Sequence, residues 1–395
     1  MQKKTVRDID LESRTVLVRT DFNVPFNPNT LTISNSNRIE ASVPTIEYLL
    51  GKRCKIIICS HLGRPDGRVF LNLSLAPIAE ALRELLDVNV RFLPYIQLTD
   101  VLTNLESLNH GEVALLENLR FHKGEETNDS GFCESLASLA DIYVNDAFGA
   151  AHRSHASIQG ITNHLPSVAG LLLDKEINSL TKVMSNPKEP FTAVLGGAKI
   201  SDKVEIVERF SEMAQDILIG GGMAATFLKS RGIQIGESLI EESFTDIARR
   251  LESMCQRNQC HIYLPEDVIV ATGFGDDADY RECLVGDIRL KEVIMDIGTQ
   301  TQKKYRSVLE KSATVLWNGP MGMFEWQQYQ SGTRTIAEIL ATGPQVSVIG
   351  GGSTVAAVSQ FGLESEMDHV STGGGAALEF LREGTLPGIT ALMDK

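Results

Sequence analysis

The stretch Phe191-Thr-Ala-Val-Leu-Gly-Gly-Ala-Lys-Ile-Ser-Asp-Lys-Val-Glu-Ile-Val-Glu-Arg-Phe210 decides the fold. Thr192–Leu195 is a short buried strand and Gly196-Gly197 the turn that follows it. The spacing of Val204, Ile206, Val207 and Phe210 predicts a helix opening near Ser201. A glycine turn feeding a helix brings backbone N–H groups close to a phosphate. Lys199 and Lys203 are four apart, so a helix running through both would place them on one face. A solvated strand–helix turn is the plainer alternative, because no Lys-[Ser/Thr] ending of a Walker loop is present.

The same grammar recurs on either side. In the first half, Thr15–Thr20, Lys55–Cys59, Val113–Leu116 and Ile142–Val144 are strands. Each ends in a polar loop: Arg19-Thr-Asp-Phe-Asn-Val-Pro25, Ser60-His-Leu-Gly-Arg-Pro65, Glu117-Asn-Leu-Arg120 and Asn145-Asp-Ala-Phe-Gly149. Helices follow, one after Ser36 and one over Leu75–Leu86 behind a Ser74 cap. Ala169–Met184 reads as a further helix, and Ser185-Asn-Pro-Lys-Glu-Pro190 breaks the chain after it. In the second half the strand ends carry glycine: Gly220-Gly-Gly, Asn318-Gly-Pro-Met-Gly322, Gly350-Gly-Gly-Ser-Thr354 and Thr372-Gly-Gly-Gly375. Strand, loop and helix in alternation predict an α/β fold with parallel sheets.

Composition narrows the function. The 395 residues are enough for two or three domains. A hydrophobic content of 43% with 22% charged residues is that of a soluble globular chain. A net charge of −14 argues against a nucleic-acid or anionic-membrane partner, though not against a local basic cleft. No apolar run reaches the ~20 residues of a membrane span, and no secretory leader is read at the N-terminus. The six cysteines are scattered without zinc spacing and are expected to be reduced thiols in a cytoplasmic protein.

Ligands of open α/β sheets bind beyond the carboxyl ends of the strands. There the first half offers Arg19, Asp21, Asn23, Arg38, His61, Arg64, Arg120, His152 and Arg153. Several guanidinium groups around one rim suit a small polyanion. The glycine turns of the second half suit nucleotide phosphates and a flat base. No Gly-x-Gly-x-x-Gly follows the first strand with an acidic residue about twenty further on, which argues against a dinucleotide-dependent dehydrogenase.

Seven segments stand together in one order: Arg19-Thr-Asp-Phe-Asn-Val-Pro, His61-Leu-Gly-Arg-Pro, Glu117-Asn-Leu-Arg-Phe, Ala151-His-Arg-Ser-His-Ala-Ser, Leu195-Gly-Gly-Ala-Lys-Ile-Ser-Asp-Lys, Leu316-Trp-Asn-Gly-Pro-Met-Gly-Met-Phe-Glu and Ser371-Thr-Gly-Gly-Gly-Ala. With them the chain resembles the phosphoglycerate kinase family from end to end. The resemblance implies two Rossmann-like parallel-sheet domains joined by a helix, with a cleft between them. It places the phosphoglycerate domain at 1–170, the connecting helix at 171–185 and the nucleotide domain at 186–383, with the tail 384–395 packing back on the first domain. It implies reversible, Mg²⁺-dependent phosphoryl transfer between 1,3-bisphosphoglycerate with ADP and 3-phosphoglycerate with ATP, by domain closure, in a cytoplasmic monomer of glycolysis. A degenerate member that only binds its ligands is the alternative.

Carried over by position, Asp21, Phe22, Asn23, Arg38, His61, Leu62, Gly63, Arg64, Arg120 and Arg153 resemble the phosphoglycerate contacts. Lys203, Glu325, Gly351, Gly352, Ser353 and Thr354 resemble the nucleotide contacts. Arg38, Lys199, Lys203, Gly373 and Gly374 resemble the groups around the transferring phosphoryl. Ser353 stands where the family's metal loop usually has Asp, so the metal is expected there only weakly or through water. Ile294 stands at a family glycine beside the base, and Thr299 at a family proline.

Overall fold

The computed structural model describes residues 2–27, 30, 32–94 and 97–395. Six strands form the first sheet: β1 (Thr15–Arg19), β2 (Lys55–Cys59), β3 (Val90–Leu93), β4 (Val113–Leu116), β5 (Ile142–Asn145) and β6 (Ser167–Ala169). Their order is β3-β4-β2-β1-β5-β6, and every neighbouring pair is parallel. The inner strands are continuous apolar runs because helices cover both faces. Val16, Val18, Ile56, Ile58, Val113 and Val144 join Ile39, Ile46, Ile78 and Leu82 of the flanking helices in one buried core. Strands are added to both sides of β1, so its carboxyl end lies at the switch of winding direction.

The second sheet contains β7 (Phe191–Leu195), β8 (Asp216–Ile219), β9 (His261–Tyr263), β13 (Thr314–Asn318), β14 (Val346–Gly350) and β15 (His369–Val370). Its order, β15-β14-β13-β7-β8-β9, again reverses direction, here between β7 and β13. Between β9 and β13 the chain makes a separate antiparallel sheet of β10 (Asp267–Ala271), β11 (Tyr280–Leu284) and β12 (Val293–Ile297), in the order β11-β10-β12.

The chain divides into two units. One runs to Asn178 and takes back Thr385–Lys395; the other is Ser179–Gly384. The division falls inside the helix Leu171–Ser185. In the first unit the tail is held through Gly388 N–H to Ala151 O at 2.8 Å and Met393 N–H to Ser167 O at 3.0 Å.

Two local expectations are corrected. The helix after β7 starts at Val204, with Lys203 as its N-cap, so Lys199 and Lys203 do not share a helical face. Residues 198–203 instead form a turn, fastened where Ser201 N–H and Oγ–H donate to the Glu241 carboxylate at 2.9 and 2.7 Å. The second helix starts at Ala76 rather than Leu75. Its first N–H groups are met by Glu117, which accepts from Leu75 N–H at 2.9 Å and from Ser74 Oγ–H at 2.8 Å. A carboxylate brought in from the end of β4 shares the capping with Ser74, whose Oγ accepts from Ala76 N–H at 3.2 Å.

Candidate functional site

The carboxyl end of the first sheet is a basic network built on a buried arginine. Arg19, the last residue of β1, is fully buried. Its Nε–H donates to Ser157 Oγ at 2.8 Å and its Nη1–H to Thr20 O. Glu125, also fully buried, lies 3.9 Å from the guanidinium and accepts from Ser157 N–H at 3.0 Å and Oγ–H at 2.6 Å. Sheet, helix Lys123–Glu126 and the loop carrying His152, Arg153 and His155 are thereby tied to one charged pair. Such a pair is costly to bury unless fully hydrogen-bonded, as this one is through Ser157.

Above it sit the expected ligand groups. Arg38 Nη1–H donates to Asn23 O at 3.0 Å and pairs with Asp21 at 3.2 Å. Gly63 N–H donates to Asn23 Oδ1 at 3.0 Å, and Arg120 Nη1–H donates to Gly63 O at 2.7 Å. Arg120 also pairs with Glu126 at 3.2 Å. His61 is buried, with Nδ1 3.3 Å from Arg19 Nη2. A guanidinium can only donate, so Nδ1 accepts and the ring proton is on Nε2. Burial, then the charges of Arg19, Arg120 and Arg38, hold this imidazole well below its ordinary value. His155 is pushed down to about 4 by burial and then by Arg120 and Arg19. Phe22 and Leu62 are core residues, so only their backbone can face a ligand. Arg64 and Arg153 are exposed.

In the second unit the turns after β7 and β13 interlock. Gly196 N–H donates to Asn318 O and Gly197 N–H to Pro320 O, both at 3.0 Å, and Gly221 N–H donates to Met321 O at 2.8 Å. A Cβ on Gly196 would strike Gly319 O, and one on Gly319 would strike the Gly196 backbone. Glycine is needed at both positions for that approach. Beside the turns lies a cavity of about 280 Å³. Gly197, Ala198, Gly221 and Gly222 line it together with Pro320–Met323. Leu239, Phe274, Val293, Ile294 and Met295 complete an apolar wall, and Glu325 and Ser353 are at its lining too.

Lys203 is buried and donates to Asn318 Oδ1. Burial lowers its ammonium to about 8, with Asp202 opposing. Lys199 is exposed on the same turn. Gly351 caps the helix Gly352–Gln360 at φ 88°, in the left-handed region that favours glycine, and the buried Thr354 hydroxyl accepts from Gly319 N–H at 2.7 Å. Gly374 caps the helix Gly375–Glu383 at φ 51°. Two helix N-termini thus offer N–H groups to anions. Arg38 belongs to the first unit, whereas Lys199, Lys203, Gly373 and Gly374 belong to the second.

Sequence reasoning missed Asn318, whose Oδ1 holds Lys203 and whose buried Nδ2 has no hydrogen-bond partner. Its place as the last residue of β13 was the available signal. It also missed Leu239 and Phe274, which lie in loops.

Comparison with known proteins fits this geometry. The family profile described as phosphoglycerate kinase matches residues 6–384. A phosphoglycerate kinase of Moorella thermoacetica is 45% identical over 395 residues, covering 100% of both chains. The solved phosphoglycerate kinase of Coxiella burnetii has a TM-score of 0.88 at 35% identity, covering 98% of each chain. That of Pyrococcus horikoshii OT3 has a TM-score of 0.85 at 32% identity, again covering 98% of each.

Proposed function

The chain belongs to the phosphoglycerate kinase family, and on that premise we propose how its residues share the reaction. The protein transfers a phosphoryl group reversibly between 1,3-bisphosphoglycerate with ADP and 3-phosphoglycerate with ATP. Toward the bisphosphate, a carboxylate oxygen of 3-phosphoglycerate attacks the γ-phosphorus, the bond to the β-phosphate oxygen breaks and ADP leaves. The nucleophile is ionised at neutral pH, so no base is required. Positioning and charge neutralisation are the work left to the protein.

In this reading the first unit holds phosphoglycerate. Arg38, Arg64, Arg120 and Arg153 meet its anionic groups, His61 Nε2–H and Asn23 orient it, and Asp21 fixes Arg38. The second unit holds the nucleotide, with the base against Ile294 and Phe274, the ribose at Glu325 and the phosphates at Lys203 and the Gly351–Thr354 turn. Lys199 and the Gly373–Gly374 helix start serve the transferring group together with Arg38. The observation that carries the nucleotide assignment is the apolar cavity of about 280 Å³ beside the interlocked glycine turns.

Magnesium is assigned as part of the nucleotide substrate. Among the described residues no group of three or more His, Cys, Asp or Glu is placed to hold a metal ion. The neutral hydroxyl of Ser353 fits an ion carried mainly by phosphates and water. When bound, the ion supplies charge neutralisation. We further read the protein as a cytoplasmic monomer, as the family resemblance implies.

Arg64→Ala tests the division of labour. Separate titrations of 3-phosphoglycerate and of ADP should show weakened binding of the first and nearly unchanged binding of the second. Equal loss of both would contradict it.

A further inference from the structure

The helix Thr245–Arg257 ends in a Schellman motif. Gln259 is left-handed at φ 59°. Cys260 N–H donates to Cys255 O at 2.9 Å and Gln259 N–H to Gln256 O at 3.3 Å. An apolar contact between these two end positions usually accompanies the motif. Here both positions are cysteine. Both are buried free thiols. Cys260, with Gln256, Gln259 and His261, also lines an open groove of about 1080 Å³ beside β9. The remaining cysteines offer no such arrangement. Cys54 precedes β2 and Cys59 ends it, with burial pushing their thiols up to about 11 and about 12.

We propose that Cys255 and Cys260 are a redox-reactive pair that closes to a disulfide when a small-molecule disulfide enters the groove. The Schellman turn holds the two backbones in contact through Cys260 N–H and Cys255 O, the closeness that a disulfide requires. Of the two thiols only Cys260 lines the groove, so it is the one that loses its proton there, against the rise that Cys255 and then burial impose on it, and its thiolate displaces one thiolate from the small disulfide, forming a mixed disulfide. Cys255 then loses its proton, attacks the Cys260 sulfur and expels the second thiolate. The two protons end on the two released thiols. The pair is oxidised by two electrons, and the small disulfide is reduced by the same two. The bond staples the helix end to β9, the edge strand of the second sheet. Neither cysteine has a place in the phosphoryl-transfer machinery.

The test treats the folded protein with oxidised glutathione, alkylates the remaining thiols and digests with trypsin without reductant. Cleavage after Arg250, Arg257 and Arg281 puts the two cysteines on separate peptides. Leu251–Arg257 should appear linked to Asn258–Arg281, two hydrogens lighter than their sum, and should separate in dithiothreitol. In Cys255→Ala, Cys260 should be trapped as its glutathione adduct. Recovery of both peptides alkylated while Cys283 carries glutathione would overturn the proposal, as would linkage found only in urea. An unmodified Cys260 in Cys255→Ala would overturn entry through the groove.

Discussion

His61 shows how one buried charge sets the chemistry of a neighbour. Arg19 fixes the tautomer from below, at 3.3 Å, and its charge adds to burial in keeping the ring neutral. The ring therefore presents one N–H donor whose strength does not change across neutral pH. The ¹⁵N shifts of His61 should show the Nε2–H tautomer and no titration between pH 8 and pH 5; a midpoint near 6.5 would refute the arrangement. Burial lowers Lys203 as well, but to about 8, so its charge changes just above neutral pH. Above that pH the free protein must take up a proton before the lysine can pair with phosphate. ADP affinity should fall by about tenfold per pH unit above about 8, one proton being bound with each ligand. Calorimetric titration from pH 7 to pH 9.5 checks this. Lys203→Met should bind ADP weakly and lose that slope, and a parent whose affinity is flat to pH 9.5 would remove Lys203 from the phosphate site.

Elements place these residues, and some were easier to read than others. Inner parallel strands such as Lys55–Cys59 and Thr314–Asn318 are unbroken apolar runs ending in polar or glycine residues, so strand and site are marked together. The sheet of β10, β11 and β12 was harder to read: β11 alternates exposed and half-buried residues, and the apolar run of β10 pairs antiparallel, outside the strand–loop–helix alternation. The wall that Val293, Ile294 and Met295 supply to the cavity was hidden with it. The helix after β7 was expected to open near Ser201 rather than at Val204, because the fastening of the turn, Glu241, is forty residues away. Helix Leu171–Ser185 illustrates a further tertiary cap. Asp146 Oδ1 accepts from Leu172 and Leu173 N–H at 2.9 and 3.1 Å, and burial raises its carboxyl to about 7. The native state thus holds this proton more tightly than the unfolded chain. The resulting stability is present below about pH 4 and lost as pH rises through about 7. Asp146→Asn keeps an oxygen acceptor but cannot ionise. Urea unfolding at pH 5 and pH 8 should show the parent losing stability relative to the variant; a difference independent of pH would count against the buried proton.

At the scale of the whole molecule, the chain completes its first unit with its last residues. Leu386, Ile389 and Leu392 are 1%, 1% and 3% exposed, and each such burial is worth about 1.5–3 kcal/mol. Polar bonds add direction. Asn145 Nδ2–H donates to Gly388 O at 3.2 Å from the end of β5, and Lys4 N–H donates to Met393 O at 2.8 Å. Lys3, itself buried, donates through Nζ to Leu392 O at 2.7 Å and pairs with Asp394 at 2.8 Å. Removing the tail would strip the apolar cover and take away Thr390 O, Leu392 O and Asp394, the acceptors that hold the Lys3 ammonium. It would also free Asn145, one residue before the Asp146 cap. A chain ending at Glu383 should therefore lose hydrogen-exchange protection in β1, β5 and β6, although the missing residues follow the second sheet in sequence. Peptide-resolved exchange distinguishes the units, since β7, β13 and β14 should keep their protection. Loss confined to β7, β13 and β14 would show that the tail's stabilisation lies with the second unit.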